Sequence, residues 1–105
     1  MVYKVVIPER TKEQIDACVF YILTQFRSEQ AAKHLLKGVD YIISELSYNP
    51  YRFADSKDDF LKKRNYKEAP ISDMRYKFVF RIENKTVYIV GFFHDTEKYW
   101  AKIDE

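Results

Sequence analysis

Cations alternate with aromatic and aliphatic residues near the C-terminal end of the chain, in a pattern suited to binding phosphate or an acidic partner. Arg75, Lys77 and Arg81 are two and four residues apart, which places them on one face if the segment is a β-strand. Tyr88 and Phe92, in the next apolar segment, are rings on which bases or guanidinium groups could stack. An ordinary solvated sheet face is an equally good interpretation of the same residues.

His94 is the histidine nearest to these cations in the sequence, and imidazole is the usual proton carrier near neutral pH. It could deprotonate a ribose hydroxyl, with Tyr99 as a weak acid or a stacking platform. Asp95 and Glu97 would repel a phosphate beside His94. The interpretation that we favour is simpler: His94 ends a strand and bonds to the backbone.

Charge is concentrated locally, although the whole molecule is nearly balanced. The 105 residues carry a net charge of +2, which gives only weak overall attraction to nucleic acid. Residues 62–81 hold seven basic and two acidic side chains, and Arg64 and Lys67 join the candidate binding set from this run. An anionic partner would have to be bound by this local cluster.

Cysteine and histidine usage predicts neither a disulfide nor a metal site. The one cysteine, Cys18, cannot form an intramolecular disulfide, and with two histidines it offers no metal-ligand spacing, so no cofactor is expected. The first apolar run, residues 2–7, is too short and too charged for a signal peptide or a membrane span. We expect a single domain over residues 1–105, located in the cytoplasm.

Residues 76–94 predict the β-hairpin that would position this chemistry. Asn84 and Lys85 are the expected two-residue turn, and counting outward from them gives the register. The expected apolar core face consists of the pairs Ile82–Val87, Phe80–Ile89, Phe78–Gly91 and Tyr76–Phe93. The expected site face consists of the pairs Arg81–Tyr88, Val79–Val90, Lys77–Phe92 and Arg75–His94.

The N-terminal half predicts a strand followed by a helical hairpin. Residues 2–7 are expected to form a buried first strand that Pro8 ends, although either edge of the sheet could accept it. Thr11 and Gln14 have the spacing of a capping box, and helical periodicity continues to about Phe26.

A second helix is expected to begin after Ser28, a favourable N-cap, and to end at Asn49, because the residue before proline disfavours helical dihedrals. The short connection makes the helices antiparallel, and their joint apolar face needs a sheet to cover it. Gly38 inside this helix costs about 1 kcal/mol relative to alanine unless a close contact uses its missing side chain.

The segments that flank the hairpin are expected to be short. Residues 51–63 are polar and predict a surface loop, and residues 64–71 predict a strand that Pro70 limits to a sheet edge or a strand end. Beyond the hairpin, Asp95 or Thr96 could cap a short terminal helix that carries Tyr99 and Trp100. This segment or a partner chain is expected to cover the site face.

The order of elements predicts an α+β fold of the β-α-α-β-β-β type, with an antiparallel sheet packed on a two-helix hairpin. This order resembles the RelE/ParE superfamily, the toxins of bacterial type II toxin–antitoxin modules. The resemblance spans nearly the whole chain. It is carried by YKVVI at residues 3–7, LSYNPYRF at residues 46–53, YKFVFRI at residues 76–82 and VYIVGFFH at residues 87–94.

The resemblance implies one of two activities on this scaffold. The RelE-like class is similar to a ribosome-dependent endoribonuclease that cleaves messenger RNA, and the ParE-like class inhibits DNA gyrase. Lys67 and Lys77 would match basic residues of the nuclease class, and Tyr99 or Trp100 its late tyrosine. His94 stands where that class has a late arginine, a departure that favours the ParE-like class.

The resemblance also implies partners and a biological setting. A toxin of this kind is neutralised by a cognate antitoxin, stabilises plasmids by inhibiting growth, and reaches operator DNA only through the antitoxin. Its target would be DNA gyrase, or the ribosome and messenger RNA if the chain is an enzyme. A non-toxic binding module on the same fold is a further alternative.

Overall fold

The computed structural model of the protein describes residues 2–95. Its regular elements are β1 Lys4–Val6, α1 Glu9–Tyr21, α2 Glu29–Tyr48, α3 Asp59–Lys63, β2 Lys67–Pro70, β3 Tyr76–Glu83 and β4 Thr86–His94. A π-helical turn, Ile22–Phe26, continues α1, and a 3₁₀ turn, Pro50–Arg52, follows α2. The expected terminal helix, with Tyr99 and Trp100, lies outside the described residues.

The sheet has the order β1-β4-β3-β2. The pairs β2–β3 and β3–β4 are antiparallel, as predicted, and β1 lies parallel to β4, so the sheet is mixed. The expected α+β architecture is confirmed.

β1 is shorter than the predicted residues 2–7, because the Tyr3 N–H donates to the Ser47 carbonyl at 2.6 Å instead of entering the sheet. The prediction that β1 is buried is wrong, since it is an edge strand in which Lys4 is exposed and Val5 is half-buried.

The main core lies between the helical hairpin and one face of the sheet. Leu35 and Leu46 of α2 and Phe78 and Phe80 of β3 are fully buried there, and Ile15 of α1 is buried beside them. The prediction that Phe78 and Phe80 face the helices is confirmed. Burial of such side chains, at about 1.5–3 kcal/mol each, is the main contribution that holds the two layers together.

The two helix starts differ in how well the sequence predicts them. Ser28 is the N-cap of α2, and its hydroxyl accepts a hydrogen bond from the Ala31 N–H at 3.0 Å, as predicted. The capping box at Thr11 is wrong, because the N-cap of α1 is Pro8, three residues earlier. The Pro8 carbonyl accepts from the Thr11 N–H at 3.0 Å, and the buried Thr11 hydroxyl has no hydrogen-bond partner among the described residues.

The predicted surface loop at residues 51–63 is more ordered than its polar composition indicates. Phe53 and Ser56 are buried, and Leu61 of α3 is fully buried. Asp58 is the N-cap of α3, and its carboxylate accepts from the Leu61 N–H at 3.0 Å. One of the aspartates that makes the segment look like a loop is therefore the residue that starts its helix.

Gly38 allows α2 to approach the chain that follows β2. A Cβ added at Gly38 would lie 2.6 Å from Cγ2 of Ile71, which is itself buried. That methyl group is attached to the branched Cβ of Ile71 and cannot move without a change of the whole side chain. The close packing contact that would justify a glycine inside this helix is therefore present.

We predict that Gly38→Ala lowers the free energy of unfolding by about 1–2 kcal/mol, although alanine is the better helix former, because the overpacking outweighs the helix propensity. Urea denaturation monitored by circular dichroism measures this. Lys33→Ala, at an exposed position of α2, is the matched control and should change stability little. Ile71→Leu removes the Cγ2 branch, so the double variant should recover part of the loss. A Gly38→Ala protein more stable than the parent would contradict the prediction.

Candidate functional site

The register of the β3–β4 hairpin is as predicted near the turn and differs beyond it. Asn84 and Lys85 form the turn with positive φ angles, and the predicted pairs are confirmed as far as Phe80–Ile89. Val90 is then an extra residue, a β-bulge. Beyond it Val79 pairs with Gly91, and the pairs Phe78–Phe92, Lys77–Phe93 and Tyr76–His94 follow. The predicted pairings of Gly91, Phe92, Phe93 and His94 are therefore wrong by one residue.

Side chains of α1 bind the backbone groups at this bulge. The side-chain oxygen of Gln14, Oε1, accepts a hydrogen bond from the Phe92 N–H at 3.0 Å. Arg10 Nη2 lies 3.5 Å from the Val90 carbonyl oxygen, to which it donates. Gln14, assigned to a capping box from the sequence, instead satisfies a sheet donor that the bulge leaves without a ladder partner.

The bulge moves Phe92 and His94 to the helical side of the sheet. Phe92 is only 2% exposed, and its ring centroid lies 5.5 Å from that of Tyr76 and 4.8 Å from that of Phe78. The His94 ring packs edge-on against Tyr76 at 5.3 Å. The prediction that Phe92 is an accessible stacking ring is wrong. It assumed that side chains alternate between the two faces without interruption, and the extra residue at the bulge reverses that alternation.

A second, smaller cluster covers part of the opposite face of the sheet. Phe93 packs there with Val79 of β3 and with Leu61 and Tyr66 of the α3 region. A Cβ on Gly91 would lie 2.3 Å from the Phe93 ring, so glycine leaves the space that this ring occupies. The expectation that something covers this face is met in part by α3, which the sequence did not predict.

Lys77 is held inside the protein by a carboxylate. Its Nζ donates to Glu68 Oε1 at 3.2 Å, and both side chains are about nine-tenths buried. The other carboxylate oxygen, Oε2, accepts from the Ser56 hydroxyl at 3.0 Å and from the Lys57 N–H at 3.2 Å. The ion pair therefore fastens the segment before α3 to the middle of the sheet.

Lys67 and Arg81 are also paired, on different faces. Lys67 aligns with Phe80, on the helical side, and its Nζ donates to Asp55 Oδ1 at 3.0 Å and to the Phe53 carbonyl at 3.2 Å. Arg81 forms an ion pair with Glu83. Its guanidinium carbon lies 4.4 Å from the centroid of the Tyr88 ring, so the predicted Arg81–Tyr88 pair is confirmed.

Of the other predicted site residues, Arg64 is a surface cation at the end of α3, where its guanidinium carbon lies 3.6 Å from the Phe60 ring centroid. Arg75 is exposed just before β3. Its carbonyl accepts from the Asp95 N–H at 2.8 Å, so the predicted Arg75–His94 pair is wrong. The described residues do not bring His94 to the same side as Lys77 and Arg81, and no acid–base site is assembled from them.

Among the described residues, a groove lies between α2 and the start of the β2–β3 connection. It has a volume of about 610 Å³ and is lined by His34, Lys37, Gly38, Tyr41, Ile42, Arg52, Phe53, Pro70 and Ser72. Within the described part of the chain, two cations and no carboxylate line it. The carbonyl oxygen of Ser72 accepts a hydrogen bond from His34 Nε2 at 3.0 Å and closes one end.

The sequence carried a signal for this groove that we did not use. His34, Lys37 and Tyr41 are three and four residues apart, a spacing that places them on one flank of α2. Arg52 completes the cationic rim, where its Nε lies 3.0 Å from Glu45 Oε1 and its guanidinium carbon lies 4.5 Å from the Phe53 ring centroid. The groove thus combines an apolar floor with positive charge at its rim.

Comparisons with known proteins place the fold. No protein-family model matches the sequence, and no curated protein does. Among solved structures, the chain is similar to a chain of the chromosomal ParDE TA system from P. aeruginosa, with a TM-score of 0.69 and 13% identity. The match covers 89% of this chain and 96% of that chain. The likeness shows a shared fold. It agrees with the RelE/ParE-like architecture expected from the sequence and does not separate the two branches.

Metal ions are held by groups of side chains, and membranes are crossed by long apolar helices. No group of three or more histidine, cysteine, aspartate or glutamate side chains there could hold a metal ion. None of the described helices combines the length and the apolar character needed to cross a membrane.

We predict that Lys77→Ala destabilises the protein by about 3 kcal/mol, because it leaves the Glu68 carboxylate buried without the ammonium group that faces it. Thermal and urea unfolding of the purified variant measure the loss. Arg75→Ala, at an exposed position two residues away, is the control and should change stability little. A Lys77→Met/Glu68→Leu double variant should recover most of the loss. Unchanged stability of Lys77→Ala would show that this lysine is not structural.

Proposed function

We propose that the protein is the toxin component of a type II toxin–antitoxin module, which inhibits growth from the cytoplasm and is neutralised by a cognate antitoxin. The observation that carries this proposal is the shared fold with a chain of the ParDE TA system over nearly the full length of both chains. Fold alone does not determine function, so the details of the site supply the remaining argument.

The groove beside α2 is the proposed contact with the antitoxin. Lys37 and Arg52 give it a cationic rim, and Tyr41 and Phe53 offer apolar surface. An acidic segment with apolar anchors is complementary to both features. Arg52 already faces Glu45 at the rim, so the negative charge of the partner would act mainly at Lys37.

The proposed target is DNA gyrase, which is inhibited by binding and not by cutting RNA. Messenger-RNA cleavage needs cations on the scissile phosphate beside a base. Here Lys77, Lys67 and Arg81 each face a carboxylate, and His94 lies on the helical side. A binding surface has no such requirement, so these contacts support the ParE-like alternative. Contact with operator DNA would occur only through the antitoxin.

A non-toxic binding module is the second candidate, and the same ion pairs favour it. Cations engaged within the fold are equally suited to a protein that kept the scaffold and lost both activities. The groove would still bind an acidic partner in that case. Growth measurements therefore separate this candidate from the toxin, whereas binding measurements do not.

We predict that induced expression of the chain arrests bacterial growth and that co-expression of the neighbouring open reading frame restores it. The two products should also co-purify, because the antitoxin covers the groove. Growth arrest that the neighbouring product does not relieve would show that the chain is toxic and that this product is not its antitoxin. Normal growth, with a stable complex, would favour the non-toxic module.

Lys37→Glu should weaken that complex about tenfold by opposing an acidic partner at the rim. Lys33→Glu is the matched control, since it makes the same change one turn earlier on α2 and Lys33 does not line the groove. Titration calorimetry with the purified partner measures both. Equal effects of the two variants would show that the overall charge of the protein weakens the complex and that the groove is not the contact.

We predict that expression of the chain alters plasmid supercoiling and leaves messenger RNA intact, because the described residues assemble no acid–base site. RNA integrity and plasmid topology should be followed in the same cells, in parallel with His94→Ala. The variant is expected to remain toxic if the action is by binding. Ribosome-dependent RNA cleavage that His94→Ala abolishes would overturn the ParE-like assignment in favour of the nuclease.

A further inference from the structure

The tip of the helical hairpin exposes four large apolar side chains that neither the core nor the groove uses. Phe20, Tyr21, Leu23 and Phe26 are 68%, 51%, 40% and 66% exposed, and we name them the tip patch. Single exposed apolar residues are ordinary, but a contiguous set of this kind marks an interaction surface. None of the tip-patch residues lines the α2 groove, so the two surfaces can be tested with different substitutions.

The backbone at the tip is shaped to present these rings. The π-helical turn Ile22–Phe26 widens the end of α1, and turns of this kind occur frequently at functional sites. Ile22 is buried and anchors the turn, while the rings of Tyr21 and Phe26, five residues apart, meet at 5.5 Å. Arg27 then adopts a left-handed conformation with φ of 50° and reverses the chain.

The distribution of charge around the tip patch selects its partner. Residues 17–26 contain no charged side chain, and the run is bounded by Asp16 and Arg27, which are both exposed. When two copies of this segment are placed antiparallel about a two-fold axis near Tyr21, Asp16 of one copy faces Arg27 of the other. The patch is therefore complementary to itself, as an isologous interface requires.

The exposed area agrees with a weak dimer. Scaled to roughly 150–250 Å² for a whole aromatic side chain, the exposed parts of the tip patch amount to about 450 Å² per copy. Two copies would bury about 900 Å² before flanking residues are added, near the lower limit of roughly 1,000 Å² for specific association. An acidic partner would gain nothing here, since the run itself carries no cation.

We propose that two copies of the chain associate through their tip patches, about a two-fold axis that places Asp16 of each copy against Arg27 of the other. The interface is apolar at its centre and carries an ion pair at each end. It uses no residue of the α2 groove, so we expect each copy in the dimer to bind its own acidic partner.

Sedimentation velocity of the full chain, from about 1 to 300 μM, tests the proposal. A monomer–dimer equilibrium is expected, and Phe20→Glu should raise the dissociation constant at least about thirtyfold by burying a charge at the centre. Tyr48→Glu, at an equally exposed aromatic on α2 outside the patch, should leave the constant unchanged. A chain that stays monomeric at all concentrations would overturn the proposal, as would a dimer that Phe20→Glu leaves intact.

Charge exchange tests the arrangement of the two copies without relying on the folding of Phe20→Glu. Asp16→Arg should raise the dissociation constant about tenfold, because it opposes Arg27 of the other copy. Asp16→Arg/Arg27→Asp should restore it to within about threefold of the parent. Failure of the double variant to recover association would contradict the antiparallel geometry.

Discussion

The bulge at Val90 is the constraint on which the rest of the sheet depends. It places Phe92 in the main core and Phe93 in the second cluster, where an uninterrupted strand would reverse the two rings. The bulge is stable because α1 supplies partners for its backbone: Gln14 accepts from Phe92, and Arg10 donates to Val90. An unpaired buried backbone group would cost about 1–3 kcal/mol, so the position of α1 and the register of β4 are mutually dependent.

Phe93 lies on the face of the sheet opposite the helical hairpin, so both faces carry apolar residues. That second face is covered by other residues of the chain. Leu61 and Tyr66 pack on Phe93 and Val79, which explains why a short segment with polar composition forms α3. The buried Lys77–Glu68 pair lies on this same side of the sheet, where Glu68 aligns with Val79. In the sequence, Lys77 looks like a ligand for phosphate. In the structure, it is part of the ion pair that orders the α3 region.

The sequence-based predictions are correct where a feature depends on residues close in sequence, and they fail where it depends on residues far apart in sequence. The Asn84-Lys85 turn, the Ser28 cap and the burial of Phe78 and Phe80 depend on neighbours close in sequence or on one period of side chains, and all three are confirmed. The partner of Lys77 depends on Glu68 in another strand, and the bulge depends on Gln14 of a helix 78 residues away. For the candidate site, Lys77, Arg81 and Tyr88 lie on the predicted face of the sheet. Phe92 and His94 lie on the other face, because one extra residue exchanges the two sides of the strand beyond it.

The competition of carboxylates for cations connects the fold to the proposed function. A cation that meets a carboxylate inside its own chain has less attraction left for an external anion, and Lys67, Lys77 and Arg81 are all in this state. In the α2 groove, Arg52 is in the same state, since its Nε lies 3.0 Å from Glu45 Oε1, whereas no carboxylate lines the groove beside Lys37 within the described residues. The cation that the proposed partner would meet in the groove is thus Lys37, on the flank of α2. This lysine is the point at which the fold and the proposed binding of an acidic partner meet.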